Sequence, residues 1–117
     1  MPSPFGDIIQ HQIDQAGEAF LKKRRPPVEI RGKLDIACRT ENLDLYIVEI
    51  RPAWNNPAEM MEQPVAKATF VKSKGIWKVF WIRGNLKWYP YPEQPQVKMV
   101  VEFFDLVDED KMGCFFG

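Results

Sequence analysis

The sequence predicts an α+β domain: a mostly antiparallel sheet of about five strands, flanked by an N-terminal and a C-terminal helix. Three observations carry this. Residues 64–91, PVAKATFVKSKGIWKVFWIRGNLKWYPY, are rich in aromatic and β-branched side chains and are cut by two glycine-containing turns. Residues 28–39 alternate apolar and polar at a period of two. Residues 4–24 and 96–110 instead repeat apolar side chains at three- and four-residue steps, as a helix with one buried stripe does.

The first helix is expected over 4–24, with Ser3 as cap and Pro4 at the first helical position, where a missing N–H costs nothing. Phe5, Ile9, Ile13, Ala16 and Phe20 form its stripe, with Ile8 beside it, and Gly6 and Gly17 weaken it slightly. Lys22, Lys23, Arg24 and Arg25 suit the negative end of the helix dipole, and Pro26-Pro27 stops the helix. Across 28–39, Val28, Ile30, Leu34, Ile36 and Cys38 point one way, and Glu29, Arg31, Lys33, Asp35 and Arg39 the other. A turn at Thr40-Glu41-Asn42 leads to a strand over 44–51, ended by Pro52. The proline-punctuated connection 52–64 has room for one helical turn starting at Pro57 under an Asn56 cap. Trp54 within it reads either as a plug over the core edge, the favoured reading, or as an exposed contact residue.

Three strands follow at 65–72, 76–83 and 86–91. Reading Gly84-Asn85 as a two-residue turn pairs Arg83 with Leu86 and places Trp81 opposite Trp88. One face then collects Ala66, Ala68, Phe70, Trp77, Val79, Trp81, Leu86 and Trp88, which is core in character. The other collects Lys67, Thr69, Val71, Lys78, Phe80, Ile82, Lys87, Tyr89 and Tyr91, and is basic and aromatic. After a stiff linker with Pro90, Pro92 and Pro95, the second helix buries Val97, Val100, Phe104 and Val107, with Val101 and Phe103 flanking. Acids crowd its C-terminal end against the dipole preference, a sign of a cation nearby. The apolar tail MGCFFG is expected to tuck into the core or a groove.

The 117 residues are long enough for a real core, and 45% hydrophobic with 27% charged content describes one ordinary globular domain over 1–117. No apolar run reaches the roughly 18 residues that span a bilayer, so no membrane partner is expected. MPSPFGDIIQ lacks the layout of a secretion signal, which makes the cytoplasm the expected address. Cys38 and Cys114 have no metal-ligand spacing, and His11 is the only histidine; free thiols, no zinc site and no cofactor are expected. Net charge is zero, yet the charges are segregated. Lys67, Lys72, Lys74, Lys78, Arg83 and Lys87 lie in a stretch without acids, and Glu102, Asp105, Asp108, Glu109 and Asp110 in one without bases. Such segregation either steers a partner or complements itself within the molecule.

Three functional classes fit these residues. In the first, a binding module presents Lys67, Lys78 and Lys87 to phosphates and Phe80, Tyr89 and Tyr91 to unpaired bases. Against it, lysines on a sheet face also keep edges soluble, and their stems cover neighbouring rings. In the second, Asp35 lies opposite Glu49 and Lys33 opposite Arg51, so that Asp35, Glu49 and Arg51 project together. That arrangement looks like the Asp…Glu-x-Lys set with which metal-dependent nucleases hold Mg²⁺. Arg51 in place of lysine is a poor proton acceptor, and the long helix those nucleases carry after this strand is missing. In the third, Trp54 or the tail residues Phe115 and Phe116 meet another protein or a second copy in a homodimer. Ser3 and Ser73 find no histidine partner, since His11 lies in the first helix, and no phosphate-cradling glycine loop occurs.

The blocks EIRPAWNNP (49–57), PVAKATFVKSKGIWKVFWIRGNLKWYPY (64–91) and GCFFG (113–117), in this order and spacing, resemble the bacterial domain of unknown function 3024 family. The resemblance runs from about Arg25 to the C-terminus. It implies a bacterial single-domain protein. Because the family has no established activity, the resemblance assigns no catalytic or binding residue, and a non-enzymatic binding or interaction module, with nucleic acid as first ligand, is the expectation from the residues alone.

Overall fold

The computed structural model describes residues 3–116. Its elements run α1 (Asp7–Arg24), β1 (Asp35–Glu41), β2 (Asp44–Ala53), β3 (Asn56–Val71), β4 (Ile76–Ile82), β5 (Trp88–Pro90), β6 (Gln96–Val97) and α2 (Val100–Glu109). The strands form one antiparallel sheet in the order β1-β2-β3-β4-β5, and β6 pairs β4 beside β5. This is the α+β architecture that the periodicities predict.

Helix α1 starts later than the Ser3 cap suggests. The Ser3 hydroxyl accepts the Phe5 N–H at 3.1 Å and its carbonyl accepts the Gly6 N–H, closing a turn ahead of the helix. Gly6 then enters at φ 84, a conformation open to glycine and costly for other residues, and its carbonyl takes the Gln10 N–H. That turn carries Phe5 into the core, where its ring lies 5.5 Å from Trp77 and 6.3 Å from Phe70.

Both helices bury against the same face of the sheet. Ile13 and Phe20 of α1 and Val100, Phe103, Phe104 and Val107 of α2 join Leu45, Ile47, Ala66, Ala68, Phe70, Trp77 and Val79 in one cluster. The α2 stripe is the expected one shifted slightly: Val97 is buried from β6, and Val101 points outward. At the far end, the Arg24 guanidinium donates to the Asp108 carboxylate at 2.8 Å and to its backbone carbonyl, and stacks 4.9 Å over Phe116. The cation implied by the acids of α2 is therefore supplied by the last turn of α1. Asp110 ends α2 in the left-handed region and accepts the N–H groups of Phe115 (3.0 Å) and Phe116 (2.9 Å). Phe115 is thereby buried 4.9 Å from Tyr91.

Two expected elements differ. Residues 28–33 are not strand: Ile30 donates to Pro27, and Lys33 and Leu34 donate to Ile30, so local turns satisfy the backbone and Val28 is left 72% exposed. Arg25 closes this loop with a two-pronged ion pair to Asp35, both contacts at 2.8 Å. The 52–64 connection contains no helical turn. Strand β2 continues through Pro52 to Ala53, reverses at Trp54-Asn55, and returns as the long β3. The one extra residue at Val65 makes a bulge between the Ile47–Ala66 and Val48–Pro64 pairs.

Gly17, a weak point of α1 by propensity, is buried between α2 and β1. A Cβ there meets Phe104 Cζ at 3.6 Å and Cys38 Sγ at 3.7 Å, which is ordinary contact. Gly17→Ala should therefore gain helix propensity without strain, about 0.5–1 kcal/mol, and raise the thermal midpoint by a few degrees. A lowered midpoint in scanning calorimetry would show that α1 needs the missing Cβ.

Candidate nucleic-acid interface

The sheet face away from the helices is left open. Alternation along β3 and β4 places Lys67, Thr69, Val71, Lys78, Phe80 and Ile82 there, as the sequence predicts, with Ile76 beside them, because the turn from Val71 to Ile76 keeps the expected parity. Cross-strand pairing aligns Arg39, Tyr46, Lys67, Phe80 and Pro90 in one row over five strands. Lys67 is central to it. Its ammonium sits 4.7 Å over the Phe80 ring and 5.0 Å over the Trp88 ring. Trp88 of β5 also lies 6.0 Å from Tyr46 of β2, across two intervening strands. The backbones of β2 and β5 are about 14 Å apart in a flat sheet, so the two rings lean toward each other over the strands between them.

Strand β5 is where the expected face and the observed one part. The Arg83 N–H bonds to the Lys87 carbonyl and the Leu86 N–H to the Arg83 carbonyl, with Leu86 at φ 63. The loop is thus the three-residue Gly84-Asn85-Leu86, a turn followed by a left-handed residue, rather than two residues. One added residue flips every side chain of β5. Trp81 faces Tyr89 and Ile82 faces Trp88. Three assigned residues therefore leave the interface: Lys87 comes opposite Arg83 on the Trp81 side, Tyr89 turns to the helix side, its hydroxyl accepting from Asn85 at 2.8 Å under the Arg83 guanidinium, and Tyr91 is 1% exposed in the core. Lys87 is exposed at the end of the loop, and Trp88 takes the ring position on the open face.

Where β5 and β6 meet β4, the open face has a hollow of about 230 Å³ lined by Lys78, Phe80, Pro90, Pro95 and Gln96. It offers a cation, a flat ring, two proline rings and an amide that both donates and accepts. Sequence reasoning found Lys78 and Phe80. It missed Gln96 and the prolines, which read as helix start and linker, because their placement depends on a two-residue strand.

The other proposed sites do not assemble. Asp35 pairs across from Ile50, and Ile36 from Glu49, so the two carboxylates project to opposite faces. Asp35 is held by Arg25, which pulls its carboxyl below the ordinary value, and Glu49 accepts from Arg51 at 3.1 Å. Among the described residues no group of carboxylates, histidines and cysteines is placed to hold a metal ion. Trp54 is no plug: it is 92% exposed at the β2–β3 tip. Phe115 and Phe116 pack on Tyr91 and Arg24 of the same chain rather than standing free. No helix among the described residues is long and apolar enough to cross a membrane.

An open groove of about 670 Å³ runs along α1, with Asp14, Glu18, Lys22, Arg25, Arg31 and Cys38 among its walls. Its guanidiniums are engaged, Arg25 by Asp35 and Arg31 by the Pro26 carbonyl. Burial pushes the Cys38 thiol up to about 11, which makes it an inert thiol rather than a nucleophile. The unfolded chain ionises this thiol from about pH 9, whereas the folded chain holds the proton to about pH 11. Its contribution to stability is complete below pH 9 and is lost as pH rises through that window. Urea midpoints should fall more steeply between pH 9 and pH 11 for the wild type than for Cys38→Ala. Parallel pH profiles would contradict the buried thiol.

No curated protein and no solved structure matches the chain. Residues 5–117 match a family model described as Domain of unknown function (DUF3024). The match starts at Phe5, whose ring anchors the turn into α1, and takes in both helices, every strand of the sheet and the tail. The chain belongs to the DUF3024 family.

Proposed function

We propose that this protein is a non-enzymatic binding module for single-stranded nucleic acid, and that the open sheet face is its interface. The observation that carries the reading is the hollow at Lys78, Phe80 and Gln96 on a face neither helix covers. An unpaired base can stack on Phe80 and bond to the Gln96 amide, while Lys78 meets the adjoining phosphate. Lys72 and Lys74 add positive charge at the β3–β4 turn beyond Lys78, and the acids of α2 lie behind the sheet; Glu41 and Asp44 share the row of Thr69 and Lys78 on the open face, where Asp44 accepts from Thr69 and Tyr46. Lys67 serves differently. Its ammonium is already placed over Phe80 and Trp88, so it fixes the rings and contributes charge at short range. The free thiols Cys38 and Cys114 support a reducing, cytoplasmic setting.

Titration of fluorescent single-stranded DNA and RNA across a salt series tests this. The logarithm of the affinity should fall linearly with that of salt, and Lys78→Ala should make the slope shallower by about 0.7, one phosphate contact on a single strand. Phe80→Ala should weaken binding by about 1–3 kcal/mol at every salt concentration, as loss of one stacked base does. Absence of binding at low salt, or a slope untouched by Lys78→Ala, would remove the reading.

A further inference from the structure

Beside the row of Tyr46, Lys67 and Phe80 on the open face runs a second row, Glu41, Asp44, Thr69, Lys78 and Gln96. It leads from the edge strand β1 to the hollow, with acid at one end and Lys78 and Gln96 at the other. Glu41 is exposed at that edge, whereas Asp44 is half-buried and held in place. The Thr69 hydroxyl donates to Asp44 Oδ1 at 2.5 Å, and the Tyr46 hydroxyl donates weakly to Oδ2 at 3.5 Å. Among the described residues Asp44 makes no ion pair, although Lys67 and Lys78 lie on the same face. A carboxylate has about four lone-pair positions, and the two hydroxyls use one on each oxygen. One position on each oxygen is left, so Asp44 presents two adjacent acceptors in a fixed orientation.

We propose that Asp44 selects guanine in a strand bound to this face, its carboxylate accepting the two neighbouring donors of the guanine edge, N1–H and the 2-amino group. The inference rests on the reading of the open face as a single-strand interface. A carboxylate repels phosphate, so what meets Asp44 in such a complex is the edge of a base. Among the four unpaired bases, guanine alone sets two N–H donors side by side. Adenine and cytosine place one amino donor next to a ring-nitrogen acceptor, and the single N–H of uracil lies between two carbonyls. Against any of these, one carboxylate oxygen faces a lone pair instead of a donor. The ring on which the base stacks is close by. Tyr46 lies two residues along β2 on the same face, roughly 7 Å away, and its ring is 6.0 Å from that of Trp88. A base stacked on this pair turns its edge to Asp44, while the hollow at Phe80 takes a neighbouring nucleotide and Lys78 meets phosphate. The acid and the cations of the face then have separate tasks, one reading a base and the others holding the backbone.

Titration of wild type and Asp44→Asn with fluorescent short uracil RNAs, each carrying one central guanine, adenine, cytosine or hypoxanthine, tests the assignment. Wild type should bind the guanine strand roughly 30-fold more tightly than the all-uracil strand, as one two-pronged base contact provides. Hypoxanthine, which is guanine without the 2-amino group, should bind about 10-fold more weakly than guanine, a loss read on the unaltered protein. Asp44→Asn keeps an oxygen for Thr69 and puts an amino group where the second acceptor stood. Its guanine strand should fall to the level of the others, while the uracil strand holds or tightens. Equal wild-type affinity for all strands, or a guanine preference untouched by Asp44→Asn or by hypoxanthine, overturns the guanine assignment and leaves the single-strand reading standing. A uracil strand weakened by Asp44→Asn as much as the guanine strand makes Asp44 a prop of the sheet and overturns the assignment as well. Failure of every strand to bind at low salt removes both readings.

Discussion

Burial of a single face of the sheet beneath α1 and α2 is the constraint on which the rest of this structure depends. Trp77 and Val79 on β4, with Ala66 and Ala68 on β3, present a surface that is bulky on one strand and shallow on the next. Phe103 and Phe104 from α2 and Ile13 and Phe20 from α1 fill it. Burying one large apolar side chain stabilises the fold by about 1.5–3 kcal/mol, so this layer outweighs any single polar contact in the molecule. With both helices committed to the same side, the opposite face receives no cover and must be stabilised by its own side chains. The tilted aromatic rings of Tyr46, Phe80 and Trp88 gathered around Lys67 provide that.

Electrostatics then divide along the same plane. The acids of α2 lie on the helix side, where Arg24 answers Asp108 and where Asp110 spends its carboxylate on two backbone N–H groups of the tail. The lysines of β3 and β4 lie on or beside the open face without acids close to them in the chain. Glu41, Asp44 and Glu62 temper that division, since they share the open face with Arg39, Lys67 and Lys78. Surface ion pairs such as Arg39–Glu62 are exposed and contribute little to stability, so the layout bears on recognition more than on folding.

The outer β2–β3 ribbon and the rest of the sheet are linked through β3. Its inner part is locked between β2 and β4, while its outer part has only β2 for company. The bulge at Val65 lies at the junction, where an extra residue bends the strand and increases its twist. On one side of that point the sheet continues to β5, whose Trp88 ring reaches Tyr46; on the other, the ribbon runs free to Trp54. A second register shift, between the Pro52–Met60 and Ala53–Asn56 pairs, leaves Pro57, Ala58 and Glu59 without partners next to the tip.

Local pattern in the sequence determined the two amphipathic helices, the inward faces of β3 and β4, and with them Lys67, Lys78 and Phe80 of the interface. Each of these follows from side-chain periodicity within a single element, which neighbours do not alter. The rest was decided by tertiary structure. A left-handed φ at Leu86, an ordinary residue with no preference for it, lengthened one loop and exchanged Trp88 for Tyr89 and Tyr91. The prolines at 52, 57 and 64 read as a broken connection, yet residues 60–64 pair with β2 and the reversal at Trp54-Asn55 leaves Trp54 exposed. Residues 28–33 alternate like a strand but closed on local turns when Arg25 clamped Asp35. Coverage of one face by both helices, which leaves the basic side open, is set by contacts between residues far apart in the chain, and periodicity carries no record of them.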